Sequence, residues 1–398
     1  MSQTDLAIVE REPAVRPWLV MLALAIGGFA IGSTEFAAMS LLPYIASGLG
    51  IDEPKAAHAI SAYALGVVVG APIIAVLSAR VPRRTLLMAL MAAYGITNCL
   101  TALVPNYEWL LALRFLSGMP HGAYFGVAAL VAASLVGPKE RTTAIARVML
   151  GLTVATIIGV PAATYLGQAY GWQAGFALTG LLALATFIMV ALFAPRDRPD
   201  EDASPLRELG AFRNRQVLLT LATAIVGFGG LFAVYSYTAS TLLEVTRADP
   251  RVVPLVIGLF GVGMTLGNLI SAWAADKALK PTATVLIIAS AAALFAFPSS
   301  VGSLWSISLV VFLIGCTTGL AIVLQTYLMD VARDAQTLAA AANHSAFNVA
   351  NALGPWLAGL AISAGYGFPS AGYVGCALSL GGLVLWLITM WDAKRRKV

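Results

Sequence analysis

The stretch PRDRPDEDASPLRELGAFRNR, residues 195–215, decides how the rest of the chain divides. It mixes proline and charge and has no apolar face, the make-up of a water-exposed linker. Working outward toward the N-terminus, apolar runs bounded by charge, proline or glycine fall at about 173–194, 142–170, 109–136, 85–104, 57–79 and 18–46. Toward the C-terminus they fall at about 216–241, 252–275, 281–298, 303–329, 337–364 and 369–391. A bilayer core about 30 Å thick needs about 20 helical residues, so each run can cross once. The reading is an all-α membrane protein of twelve transmembrane helices in two six-helix bundles, residues 1–194 and 216–398, joined by a cytoplasmic linker at 195–215.

Composition agrees. The 398 residues are 59% hydrophobic and 11% charged, with a mean hydropathy of +0.85, whereas soluble domains carry about 25% charged residues. The period-two alternation of a membrane β-barrel is absent. Cys99, Cys316 and Cys376 lie singly in apolar runs, with no paired spacing that would frame a disulfide or a zinc site, and read as small packing residues. Residues 1–17 are polar and lack a cleavage signal, so the first run reads as an uncleaved span.

Net charge is +5, yet the basic residues are clustered between apolar runs rather than gathered on one nucleic-acid-binding face. If the loops are placed alternately on two sides, Lys55, Arg247 and Arg251 fall on one. Arg114 lies near a membrane end, and all the rest of the 24 Lys and Arg fall on the side of both termini. The positive-inside rule makes that side the cytoplasm.

The two halves echo one another. Gly70, Ala79 and Arg80 recur 197 positions later as Gly267, Asp276 and Lys277, and Gly118 and Gly122 recur as Gly315 and Gly319. Gly159 and Pro161 in the fifth span are echoed by Gly354 and Pro355 in the eleventh. Small residues repeat every fourth position as Ala62, Gly66, Gly70; Gly151, Ala155, Gly159, Ala163, Gly167; Gly263, Gly267, Ser271, Ala275; and Ala342, Ala346, Ala350, Gly354, Ala358. In lipid such ladders let backbones approach closely. They serve either ordinary bundle packing or a sliding seam formed by spans two, five, eight and eleven.

Six plus six spans about a charged linker resemble the major facilitator superfamily. GSTEFAAMSLLPYIA (32–46) is similar to the first-span signature of its twelve-span drug:proton antiporter branch, and LLALRFLSGMPHGAYFG (110–126) to its fourth-span motif, with Arg114 in the arginine position. GLTVATIIGVPAATYLG (151–167) resembles the fifth-span motif of exporters, and arabinose and sugar efflux permeases are the nearest match. The loop between spans two and three departs from the family pattern: AVLSARVPRR (75–84) keeps Arg80, Arg83 and Arg84 but has lost the aspartate and glycines. Its second-half copy keeps Asp276, Lys277 and Lys280, so the resemblance assigns these six basic and acidic residues to gating loops.

Few residues can carry chemistry. Glu35 lies midway along an apolar run, where an ionised carboxylate costs several kcal/mol, so it should take up a proton readily. Its other reading is a glutamate shaping a water-filled cavity. Arg114 and His121 stand two turns apart on one helix face. A permanent cation and a group that titrates near neutrality suit proton coupling, against a bracing arginine and a packing histidine. His58 and His344 have no metal-ligand spacing. Asn98, Tyr235, Tyr237, Gln325, Asn343, Asn348 and Asn351 offer hydrogen bonds from within apolar runs, to a bound solute or between helices. There is no nucleotide-binding P-loop and no hydrolase constellation, so neither an ATP-driven pump nor an enzyme is expected.

The expectation is a proton-coupled exporter of drugs or sugars working by alternating access, as a monomer, with protons, a small solute and the bilayer as partners and no cofactor, metal or nucleic acid. Rival readings are a proton:solute importer and a membrane receptor or scaffold that moves nothing.

Overall fold

The computed structural model describes residues 16–78, 80–137, 141–197, 214–332 and 336–395; most of the linker lies outside them. No strand occurs among the described residues. The first span is α1 (Pro17–Ser40) with its continuation α2 (Leu42–Leu49), followed by α3 (Glu53–Leu77), α4 (Arg83–Thr101) and α5 (Tyr107–Ser134). The fifth span joins α6 (Arg141–Val154) to α7 (Val160–Tyr170) through a π turn at Ala155–Gly159, and α8 (Gln173–Phe193) is the sixth. The wide turn falls where Pro161 has no N–H to give to the preceding turn.

In the second half α9 (Arg215–Ser240) is the seventh span, and α10 (Val253–Ser300) runs through the eighth and ninth. α11 (Leu304–Cys316) and α12 (Leu320–Ala332) make the tenth, α13 (Gln336–Ala361) the eleventh and α14 (Ser370–Arg395) the twelfth. Among the described residues eight helical stretches are long and apolar enough to cross a membrane, and one of them, Pro250–Ser300, has 51 residues, enough for two crossings. It turns at Ala278, whose φ of −156° and ψ of 75° break the helix between spans eight and nine. α3, α4 and α13 complete the twelve. Of these, α13 carries Asn343, His344, Asn348 and Asn351, and α4 opens on two arginines.

Helix starts follow local chemistry. Asp52 caps α3 by accepting from Lys55 N at 2.7 Å, and Asn106 caps α5 by accepting from Trp109 N at 3.1 Å, each satisfying an orphan donor. Gly50 closes α2 at φ +64°, a left-handed conformation that favours glycine.

Glycines set the helix spacing within each half. A Cβ on Gly66 or Gly118 would strike the backbone of Phe115 or of Tyr63 and Val67. On Gly263 or Gly315 it would strike Phe312, or Phe260 and Met264. Gly70 meets Met119 and Gly267 meets Cys316 in the same way. Every partner in the second set lies 197 positions after its counterpart, so the α3–α5 and α10–α11 contacts are residue-for-residue copies.

The small-residue ladders do not form the seam between halves. Gly66 and Gly70 face α5, Gly151 and Gly159 face α1, Gly263 and Gly267 face the tenth span, and Gly354 faces α9. Each contact is internal to its half, which decides between the two readings of these ladders. α3 does pack on α13 and α10 on α7 across the halves, but through other faces: Ser61 Oγ donates to Ala352 O at 3.1 Å, and Gly258 and Gly261 of α10 lie against Ile157 and Thr156. A helix has two sides, and on α10 glycines serve both of them.

The apolar core is shared at one end of the molecule and separate at the other. One cluster holds the second half together with Phe36–Ala46, Ala56–Ile60, Val160, Trp172 and Phe176 of the first. The rest of the first half, near the chain termini, forms its own cluster around Leu24, Tyr63, Met91, Tyr124 and Val148. The halves are thus fused at the end away from the termini.

Candidate functional site

Glu35 stands on the last two turns of α1, 8% exposed. Its carboxylate accepts from Asn351 Nδ2 of α13 at 3.2 Å, a hydrogen bond between the halves. Arg114 of α5 is fully buried. Its Nε donates to Ala59 O at 3.4 Å, and both terminal nitrogens lack a partner within the protein. The guanidinium lies 4.2 Å from the centre of the Tyr63 ring and 5.3 Å from that of Phe176, aromatic faces that attract a cation. Glu35 and Arg114 sense one another's charge, yet they form no ion pair; among the described residues the ion pair is Arg215–Asp392 at 3.4 Å.

His121 is 4% exposed and hydrogen-bonds through Nδ1 to Tyr63 Oη at 2.9 Å. Tyr63 Oη lies 3.2 Å from Tyr94 Oη, and Tyr94 Oη donates to Ile31 O at 3.4 Å. On the other side of His121, Phe125 packs at 5.3 Å and stacks on His344 of α13 at 6.2 Å between ring centres. Glu35, Arg114 and His121 are therefore gathered about Tyr63 rather than bonded directly to one another.

Asn343, Asn348 and Asn351, on one helix, keep buried side-chain oxygens without a partner in the protein, as do Asn98 on α4, Ser33 on α1 and Ser236 on α9; Ser33 lies against Gly159 of the fifth span. Such atoms are costly unless something bonds them. Tyr235 packs its ring on Phe260 at 4.3 Å and on Phe36 at 5.7 Å, bridging the halves. Tyr237 instead donates to Pro355 O at 3.2 Å and ties α9 to α13. Asn98 donates to Tyr94 O of its own helix at 2.9 Å, and Gln325 is half-buried on α12. Neither is drawn into the Glu35 group by a bond.

The loop residues take structural partners. Asp197, from the start of the linker, accepts from Arg83 N at 2.6 Å and Arg84 N at 3.1 Å. An acid from another segment thus caps α4 where the loop's own aspartate is missing. Arg84 also donates to Ala191 O at 2.5 Å, while Arg80 and Asp276 are exposed. Lys277 sits over Trp273 at 3.6 Å and Lys280 over Tyr327 at 5.8 Å.

Sequence reading passed over Tyr63, Tyr94, Asp197 and a contact at the far end, where Ser240 of α9 donates to Glu53 of α3 across the halves. Beside it Gln168 Nε2 donates to Pro250 O at 2.8 Å. A cavity of about 540 Å³ between the halves, lined by Ser47, Asp52, Glu53, Glu244 and Ser363, opens just outside this closure. The repeat offset is the signal that could have found Tyr63, since it pairs that residue with Phe260, an aromatic without a hydroxyl.

Two helical bundles fused at one end, with a buried acid bonded across to the second bundle and a buried cation and histidine within the first, are the architecture of a polytopic membrane transporter. The chain belongs to the Major Facilitator Superfamily, whose family profile matches residues 24–342 and 235–398. It is 38% identical over 379 residues to "Inner membrane transport protein YdhP" of Escherichia coli (strain K12), covering 94% of this chain and 96% of that one. It is 29% identical to "Chloramphenicol resistance protein" of Streptomyces lividans, covering 85% of this chain and 88% of that one. It is 26% identical to "Probable sugar efflux transporter" of Mannheimia succiniciproducens, covering 93% of each. Among solved structures, that of the nucleoside transporter NupG superposes with a TM-score of 0.72 at 13% identity, over 93% of this chain and 99% of that one, a likeness of fold.

Proposed function

We propose that this transporter is a proton-coupled exporter of a drug-like or sugar solute in the bacterial inner membrane, with Glu35 as the proton-carrying group. The observation that carries the reading is the Glu35–Asn351 bond. A carboxylate buried at mid-membrane and held by the opposite half feels any movement between halves, so its protonation and their separation are linked. Neutralised, Glu35 accepts more weakly from Asn351 and the halves part more easily; ionised, it is held by the amide and by the field of Arg114.

Export and solute class rest on the relatives named for chloramphenicol resistance and sugar efflux. The unpartnered oxygens of Ser236, Asn343, Asn348 and Asn351 are suited to a hydroxylated solute bound between the halves. Both termini lie in the cytoplasm by the positive-inside rule, so the shared core and the Glu53–Ser240 bond close the outer end and the described conformation faces inward. Residues 1–194 and 216–398 then act as the two rocking units, one chain supplying a complete transporter.

Everted vesicles with an acid lumen test this. Chloramphenicol or L-arabinose added outside should release luminal protons in wild type and not in Glu35→Gln. Solute uptake without proton movement, or equal proton release from the mutant, contradicts the reading.

A further inference from the structure

Tyr63 occupies a place that the repeat fills twice. Its backbone lies against Gly118 as that of Phe260 lies against Gly315, so both halves need an aromatic ring at this contact. The first half alone adds a hydroxyl. At the same offset Arg114 corresponds to Val311 and His121 to Thr318, and the Thr318 hydroxyl turns back to Gly315 O at 2.8 Å. A buried hydroxyl without a partner costs about 1–3 kcal/mol, and Phe260 shows that packing does not require one.

We propose that Tyr63 is the positioning residue of the coupling site, its ring carrying Arg114 and its hydroxyl joining His121 to the turn of α1 that bears Glu35. The inference rests on the proton-coupling reading above and adds the link between its groups. When Nδ1 of His121 is an acceptor, Tyr63 donates to it and can accept from Tyr94. When Nδ1 carries a proton, His121 donates to Tyr63, Tyr63 to Tyr94 and Tyr94 to Ile31 O, so both hydroxyls rotate and neither gives up its own proton. The Ile31 carbonyl lies one helical turn before Glu35. Protonation at His121 therefore ends, through three hydrogen bonds, on the segment that holds the acid.

The groups that face His121 are Tyr63 from α3, Tyr94 behind it on α4, Arg114 two turns away on its own helix, Glu35 on α1 and, beyond Phe125, His344 on α13. Of these, Tyr63 alone is hydrogen-bonded to His121 in the structure. It is also the member that touches Arg114 through its ring.

The test uses ¹⁵N-histidine-labelled full-length protein in lipid nanodiscs. It has three histidines, and the His121 signals are identified by their loss in His121→Gln. Tyr63→Phe, which the repeat already tolerates as Phe260, should fold as wild type and move the His121 Nδ1 resonance toward that of an unbonded ring nitrogen. Tyr94→Phe should move it in the same direction by less. In the vesicle assay with chloramphenicol, Tyr63→Phe should slow proton-coupled transport about tenfold, the cost of one hydrogen bond, with chloramphenicol binding unchanged. An unshifted His121 signal in folded Tyr63→Phe overturns the proposal. Vesicles in which wild type moves no protons would sink the coupling reading instead, while the nitrogen signal still decides where Tyr63 acts.

Discussion

The two halves share a backbone plan and differ in what they bury. Along α3 and α5 the first half places Tyr63, Arg114 and His121; along α10 and the tenth span the second places Phe260, Val311 and Thr318 on the same glycine contacts. The second half contributes amides instead, on α13, one of which holds Glu35. The comparison teaches that the scaffold does not depend on the charges. A residue found in one half and replaced by an apolar one in the other sits on a frame that packs without it, and its removal should test activity rather than folding.

The sharpest way to break this comparison is Glu35→Gln, which should abolish proton-driven accumulation while the protein reaches the membrane at wild-type levels, checked by uptake and by immunoblot. Next, Arg114→Leu, which copies the apolar character of Val311, should preserve folding yet reduce transport about a hundredfold, equivalent to about 3 kcal/mol of charge-assisted bonding. Aggregation of this variant would mean that the arginine braces the fold. A third prediction concerns the shared frame: Gly118→Ala and Gly315→Ala should each destabilise by about 1–3 kcal/mol through overpacking, with equal drops in melting temperature. Unequal drops would show that the copied contacts are not energetically equivalent.

The smallest effect is expected at the outer closure. Ser240→Ala removes the bond to Glu53 and should favour outward opening about fivefold, on the order of 1 kcal/mol for one hydrogen bond. A cysteine at Ser236, fully buried on α9, reports it in a background without native cysteines: maleimide added from the outside should label the Ser240→Ala protein faster. Unchanged labelling would place the closure elsewhere.

Much of this frame was legible in the amino-acid sequence, because span length, hydropathy and the 197-residue echo each reflect a property that one helix carries alone. Glu35 was legible for the same reason: a carboxylate in the middle of an apolar run is anomalous without knowing its neighbours. Partnerships were not. Tyr63 and Tyr94 look like ordinary aromatic filling in α3 and α4 until packing sets their hydroxyls side by side, and nothing near Arg83 announces that Asp197 will cap its helix. The glycine ladders marked tight contacts correctly but could not say against which helix, since a span has one neighbour within its half and another across it. Tyr237 shows the converse, a phenol in an apolar run whose hydroxyl serves the α9–α13 contact.

The most direct test of the central claim, that Glu35 couples protons to a movement the rest of the protein can perform without it, compares two reactions of Glu35→Gln in sealed vesicles. These are accumulation of radiolabelled chloramphenicol driven by a pH gradient and exchange of labelled for unlabelled chloramphenicol at equal pH. Exchange near the wild-type rate with no accumulation is the predicted result; loss of both, or retention of both, would contradict it.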